Sequence, residues 1–218
     1  MTAIPQNLKK ILDAMPEQVT LIAVSKTKSP EEIMQAYEAG QRDFGENKIQ
    51  ELVWKQEELP QDIRWHMIGH VQRNKVKYMA SFVHLIHGVD SLKLLREINK
   101  QGAKHNRVIT CLLQVHIAEE ESKFGLDETE LMALLKNLPG ESLENIAIIG
   151  LMGMATFTDD QEQLAAEFKY LSDLKTRLAS EYPELKELSM GMSGDYQLAV
   201  KYGSTMVRIG SSIFGSRK

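Results

Sequence analysis

Eight times along this chain a short, apolar, β-rich run gives way to a segment of helical period, and that alternation restricts the fold more than any other feature. Periodicity predicts an opening helix over Gln6–Ala14, then strand Val19–Ser25 with helix Glu31–Ala39, strand Arg42–Gly45 with helix Asn47–Glu57, strand Arg64–Gly69 with helix Arg73–Ala80, and strand Phe82–Val89 with helix Leu92–Gln101. The second half continues with strand Val108–His116 and helix Glu128–Lys136, strand Ile146–Leu151 and helix Gln161–Ser180, strand Glu187–Met190 and helix Tyr196–Lys201, and strand Thr205–Ile209 with the short helix Ser212–Phe214. Strands that alternate with helices lie parallel, and eight such units close a TIM barrel. The expected fold is therefore α/β, a single TIM (β/α)8 barrel with an extra N-terminal helix. At 218 residues the chain is short for a barrel, so residues 1–218 are expected to form one domain. An open doubly wound sheet is the alternative, but no G-x-G-x-x-G follows the first strand.

Charge and composition exclude several function classes. The formal net charge is -4 and the basic residues are interleaved with acids, which argues against nucleic acid as a partner. Apolar stretches such as Ile146 to Met154 fall short of the roughly 20 residues that a membrane helix needs, and the first five residues lack the basic start of a secretory leader. A lone cysteine, Cys111, rules out an internal disulfide and favours a reducing compartment, so the cytoplasm is the expected location.

In parallel α/β barrels, chemistry gathers at the C-terminal ends of the strands. Lys26 ends the first strand, and alternation puts Ile22, Val24 and Lys26 on one face, so the lysine points into the mouth if the other two point into the barrel. An amine there can form a Schiff base, although most lysines just after strands are solvated. Two small-residue loops, Met190-Gly191-Met192-Ser193-Gly194-Asp195 and Val207-Arg208-Ile209-Gly210-Ser211-Ser212, follow the last two strands and precede helices. Glycine and serine let backbone N–H groups approach an anion, and barrels often bind phosphate at this place; Ser193 and Asp195 would otherwise serve as helix caps and turn residues. Arg208 lies between Val207 and Ile209 on the opposite strand face, where it either points inward and needs an acceptor or makes a salt bridge.

Other candidates carry less. His66 and His70 sit roughly 13 Å apart on a strand, and His84 and His87, three apart, are expected to face opposite sides, so no metal site is expected. Cys111 reads as a small buried hydrophobe. The acidic Glu119-Glu120-Glu121 ahead of Ser122-Lys123-Phe124 reads as a solvated loop, and Lys123 is a further amine open to adduct formation.

Six ordered motifs then bring in a resemblance that runs nearly end to end. They are Ala23-Val24-Ser25-Lys26-Thr27; Phe44-Gly45-Glu46-Asn47 with Gln50-Glu51; Trp65-His66-Met67-Ile68-Gly69-His70 with Gln72 and Asn74-Lys75; Gly150-Leu151-Met152; Leu188-Ser189-Met190-Gly191-Met192-Ser193; and Gly203-Ser204-Thr205-Met206-Val207-Arg208-Ile209-Gly210 with Ile213-Phe214-Gly215. On these the chain resembles the YggS/PROSC family of pyridoxal 5'-phosphate (PLP) homeostasis proteins. The resemblance implies a barrel similar to the N-terminal domain of alanine racemase and PLP held as a Schiff base on Lys26. It also implies a cofactor site that includes Asn47, a cofactor phosphate near Ser193, Gly194 and the Gly210 loop, and Arg208 near the pyridine nitrogen. Two positions depart from the family pattern, His116 where many relatives carry Asn, and Gly153 where relatives often carry a larger residue, both near strand ends where they bear on what the pocket admits.

A PLP enzyme works best with a protonated ring nitrogen, and a racemase needs a second base on the opposite face of its substrate. Arginine cannot hold that nitrogen protonated as a carboxylate does, and the resembled racemase draws its second base from a further domain of a partner subunit. The expectation is a non-catalytic, monomeric PLP carrier that serves vitamin B6 homeostasis and supplies apo-enzymes. A small PLP-dependent amino-acid racemase is the alternative, and a lysine-dependent aldolase fits the barrel but not the motifs.

Overall fold

The computed structural model describes residues 3–119 and 124–215. Eight strands, β1 (Thr20–Val24), β2 (Asp43–Glu46), β3 (Arg64–Met67), β4 (Leu85–Val89), β5 (Ile109–Val115), β6 (Ile146–Gly153), β7 (Glu187–Ser189) and β8 (Met206–Ile209), form a closed parallel barrel in sequence order. Closure comes from β1 against β8, with Thr20 to Ala23 in register with Met206 to Ile209. The helices are α1 (Ile4–Asp13), α2 (Pro30–Glu38), α3 (Ile49–Glu58), α4 (Leu92–Lys104), α5 (Glu128–Asn137), α6 (Gln161–Leu178), α7 (Tyr196–Lys201) and α8 (Ser211–Phe214).

Local chemistry places the helix starts. Ser29 and Glu32 make a reciprocal capping box ahead of α2 with Pro30 at its first position, and Asp127 with Glu130 does the same for α5. The extra helix α1 buries Ile4, Leu8 and Ile11, and Asn7 Nδ2 donates to the Ile213 carbonyl at 3.1 Å, which ties the start of the chain to α8.

Two expectations change. The segment expected as a helix over Arg73–Ala80 is a 3-10 helix over Arg73–Tyr78 in which Val76 alone is buried, so it lacks the apolar stripe that would stabilise a longer α-helix. The fourth strand starts at Leu85 rather than Phe82, which leaves His84 in the segment before it.

The barrel interior divides into two sectors. One is apolar, with Ile22, Leu85, Leu112, Met152 and Met206 packed together. The other is polar and buried, with His66, His87, Ser189 and Arg208. Most of the remaining core lies between sheet and helices, where Phe44 and Trp65 pack with ring centroids 6.1 Å apart.

Candidate functional site at the C-terminal mouth

Strand order sets the order of residues around the mouth. Lys26 follows β1, flanked by Asn47 after β2 on one side and Gly210 after β8 on the other, with Ser193 and Gly194 after β7 beyond Gly210. All six residues assigned to the cofactor site thus lie on four adjacent strands or the loops after them, with Arg208 deeper on β8.

The backbone on both sides of Lys26 is clamped from α3. Lys55, wholly buried, donates to the Ser25 carbonyl, to Glu46 Oε1 and to Glu51 Oε1, each at 2.7 Å. Glu46 Oε1 also accepts from Ser25 Oγ at 2.6 Å, and Glu51 Oε1 accepts from the Thr27 backbone N–H at 2.6 Å. Thr27 has a φ of 64°, in the left-handed region that a β-branched residue rarely enters. The Glu51 contact therefore holds a turn that the residue itself disfavours, and the turn aims the strand end. Burial pushes the Glu46 carboxyl above its ordinary range, against the lowering effect of Lys55, and its Oε2 has no partner among the described residues. Asn47 is fixed differently: a side chain on Gly69 would come within 2.4 Å of the Asn47 carbonyl oxygen, so only glycine lets β3's exit pass this close to β2's.

The two small-residue loops meet as expected. Ser193 Oγ accepts from the backbone N–H of Gly210 at 3.2 Å and of Ser212 at 3.4 Å, so one hydroxyl gathers donors from the loop after β8. A side chain on Gly194 would meet nothing within 4 Å, which leaves its backbone open to approach. The helices behind these loops have six and four residues, so attraction for an anion comes from individual N–H groups more than from a macrodipole. Asp195 occupies the N-cap position of α7 without capping it; its carboxylate turns back to accept from the Met192 N–H at 2.5 Å, and burial raises its pKa above the ordinary aspartate value. The capping alternative therefore does not hold for Asp195.

Arg208 points into the barrel. It is 3% exposed, and its guanidinium donates to Ser189 Oγ at 2.5 Å and to the Gly153 carbonyl at 2.9 Å. Among the described residues it forms no ion pair; burial lowers its pKa to about 10, with partial compensation from Asp195, so it stays cationic at neutral pH. Gly153 accordingly acts through its carbonyl. A side chain there would strike Ile117 and Leu171 at 2.7 Å, on the outer face of the sheet, so its smallness serves helix packing and does not widen the mouth.

One histidine pair lies as expected and the other does not. His66 and His70 separate, His66 inside the barrel and His70 beyond β3, 4.4 Å from the Phe124 ring in a stacked arrangement. His84 and His87, expected to face opposite sides, both approach His66 with ring centroids at 5.3 Å, because His84 precedes the strand and escapes its alternation. Asp43, His66 and His84 gather at the N-terminal mouth, where Arg64 holds the Asp43 carboxylate through two N–H groups at 2.7 and 2.5 Å. Cys111 is wholly buried, with its thiol pushed up by burial. Glu120, Glu121, Ser122 and Lys123 lie outside the described residues.

Lys55 is not singled out from sequence, Ser189 and Glu51 stand in the ordered motifs without a role, and His87 is weighed there only as a metal ligand. Lys55 and Glu51 had a signal in their i,i+4 spacing on a helix, but nothing local distinguishes Ser189 or His87 from ordinary strand residues.

Known proteins share this sequence and fold. Residues 1–218 match the family model described as alanine racemase, N-terminal domain. The pyridoxal phosphate homeostasis protein of Vibrio alginolyticus is 40% identical over 100% of this chain and 99% of its own length, and that of Homo sapiens is 38% identical over 92% and 77%. PipY of Synechococcus elongatus, whose structure has PLP bound, superposes with a TM-score of 0.89 at 36% identity, covering 97% of this chain and 100% of PipY. Alanine racemase from Bartonella henselae shares the fold at 20% identity and a TM-score of 0.72, over 99% of this chain and 60% of the racemase. The chain belongs to the alanine racemase N-terminal domain family, among the pyridoxal phosphate homeostasis proteins.

Proposed function

We propose that the barrel acts as one PLP-binding domain that holds the cofactor reversibly and hands it to apo-enzymes, without robust turnover of its own. The observation that carries this reading is Arg208: a buried cation, bonded among the described residues only to neutral oxygens, set below a mouth that also carries an amine and loop N–H donors. Such a cation is stabilised by an acceptor supplied from outside the chain. The residues present fit PLP, with Lys26 for the aldehyde, the Ser193, Gly194 and Gly210 loops for the phosphate, Asn47 beside Lys26, and Arg208 for the ring nitrogen. When bound, PLP supplies an aldehyde that links reversibly to a primary amine.

Arg208 also bears on turnover. A guanidinium is a donor only and stays charged, so it can face a ring nitrogen only where that nitrogen carries no proton. It thus weakens the electron sink on which amino-acid chemistry with this cofactor works best. PLP-bound PipY and the homeostasis proteins named above support the same reading.

Lys26→Ala is expected to remain folded and to lose covalent PLP, measured as cofactor retained after borohydride reduction; retention at the parent level would exclude Lys26 as the anchor. Carrier and enzyme are separated by α-proton exchange of an amino-acid panel in deuterated water, where sustained turnover would replace the carrier reading by the racemase one. Mixing loaded protein with an apo-enzyme and a PLP trap then tests delivery, with apo-enzyme activation expected despite the trap.

A further inference from the structure

The polar sector of the barrel is a continuous line of hydrogen bonds from one mouth to the other. Arg208 Nη1 lies 2.5 Å from Ser189 Oγ, which lies 2.9 Å from His87 Nδ1. His87 Nε2 lies 3.0 Å from His66 Nδ1, and His66 Nε2 lies 3.0 Å from Asp43 Oδ1, which Arg64 also holds. Both ends are fixed by chemistry: a guanidinium only donates, and an ionised carboxylate only accepts. Asp43 is ionised, since hydrogen bonds from Arg64 and His66 outweigh its burial and hold it well below the usual carboxylate range.

We propose that Ser189, His87 and His66 form a one-way hydrogen-bond relay that positions Arg208 for its ligand and couples it to solvent at the N-terminal mouth. Asp43 requires a proton on His66 Nε2. A neutral His66 then accepts at Nδ1, so His87 carries its proton on Nε2 and accepts at Nδ1, and Ser189 donates to His87 while accepting from Arg208. Every donor points toward Asp43, and no link has a free choice of direction. Burial favours the neutral form of His87, consistent with this pattern. The groups facing the two rings are Asp43, Arg64, His84 and His87 around His66, and Ser189, Arg208, His66 and His84 around His87. The far end opens to solvent, because His84 is exposed and the Arg64 side chain is 48% exposed. Moving the His66 proton from Nε2 to Nδ1 removes the acceptor there, forces His87 to carry its proton on Nδ1, and leaves Ser189 without its acceptor, so a change at one mouth reaches Arg208 at the other.

The relay itself is tested without PLP, whereas its service to a ligand rests on the proposed PLP reading. In PLP-free protein labelled with 15N-histidine, long-range 1H–15N spectra at pH 7.5 should show the proton on Nε2 at both His66 and His87; a protonated Nδ1 on either ring overturns the proposal. Asp43→Asn should introduce the Nδ1-protonated form at His87, a residue that it does not touch; an unchanged His87 in that folded variant reduces the chain to separate pairs. In loaded protein, Ser189→Ala should lower PLP retention about tenfold and shift the pH midpoint of the bound-cofactor absorbance, and an unshifted midpoint in a Ser189→Ala protein that still binds PLP overturns the coupling to the ligand. If parent protein binds no PLP, the carrier reading fails while the tautomer spectra still decide the relay.

Discussion

Two cations lie buried on either side of the sheet, and their surroundings differ in kind. Lys55, between the sheet and α3, has carboxylate oxygens of Glu46 and Glu51 at 2.7 Å. Arg208, inside the barrel, touches a hydroxyl and a carbonyl and has no carboxylate in contact among the described residues. A buried charge neutralised within the fold fixes the backbone around it, and here that backbone carries Lys26. A buried charge left short of a counter-charge marks a place where the fold is incomplete without a ligand. Lys26, the proposed anchor, thus stands between a region saturated with internal partners and a region proposed to complete itself with a ligand.

The largest effect that separates the two regions is on stability. Lys55→Met leaves Glu46 buried without its cation and releases the Ser25 carbonyl, so denaturant titration should show a loss of about 3–5 kcal/mol. Combining it with Glu46→Met should recover a large part of that loss, since the orphaned charge goes as well. If Lys55→Met costs no more than a surface substitution, the clamp around Lys26 is not a structural unit.

Arg208→Met should invert the pattern. Desolvation of an incompletely partnered guanidinium offsets much of its bonding, so the stability change should stay within about 1–2 kcal/mol, mostly from the Gly153 carbonyl left without a donor. PLP retention, in contrast, should fall at least about tenfold, the equivalent of one charge-assisted hydrogen bond lost. Equal stability losses for the two substitutions would dissolve the distinction between them.

Acid sharpens the comparison, because the two regions respond with opposite sign. His87 has its pKa depressed by burial, so below the ordinary histidine value near 6.5 the unfolded chain takes up a proton that the folded one refuses, and stability falls as pH drops from there. Asp43, also depressed, adds a loss below its ordinary value near 3.8. Glu46 is raised, so the folded state binds its proton first, and acidification through that window favours folding. Denaturant stability measured from pH 7 to pH 5 should therefore decline less steeply in His87→Asn than in the parent, and the gain that Glu46 contributes on acidification toward its ordinary value near 4.5 should be missing in Glu46→Gln.

Sequence carried the barrel and the mouth but not the interior. Strand–helix alternation is a property of neighbouring residues, and so are the capping box at Ser29 and Glu32 and the glycine-rich loops around Ser193 and Gly210; each could be read locally. Lys26 could be placed at a strand end by the same means. What stayed illegible depends on closure. Arg208 had an undetermined direction until β8 paired with β1, and Ser189, His87, His66 and Asp43, drawn from four strands, become neighbours only once the barrel closes. His84 was misread because a strand boundary displaced by three residues removed the alternation on which its direction rested. The resemblance supplied Lys26, Asn47 and Arg208 with roles, whereas the relay beneath Arg208 is visible only in three dimensions.

The smallest effect is expected at Ser193, and it tests whether the phosphate loops belong with the rigid region or with the unsaturated one. Its hydroxyl accepts two long backbone bonds, at 3.2 and 3.4 Å, from the N–H groups that an anion would use. Ser193→Ala removes both, at a cost of about 0.5–1.5 kcal/mol to the PLP-free protein. In the loaded protein those N–H groups have the phosphate to bond, so the penalty should shrink, and the loss of PLP retention should stay below tenfold. Gly210→Ala provides the contrast: its new Cβ would come 3.2 Å from the Val24 carbonyl oxygen, pressing on the strand that carries Lys26 whether or not ligand is present. If Ser193→Ala destabilises loaded and PLP-free protein equally, as Gly210→Ala should, the hydroxyl is a fixed brace between the loops and holds no place for the ligand.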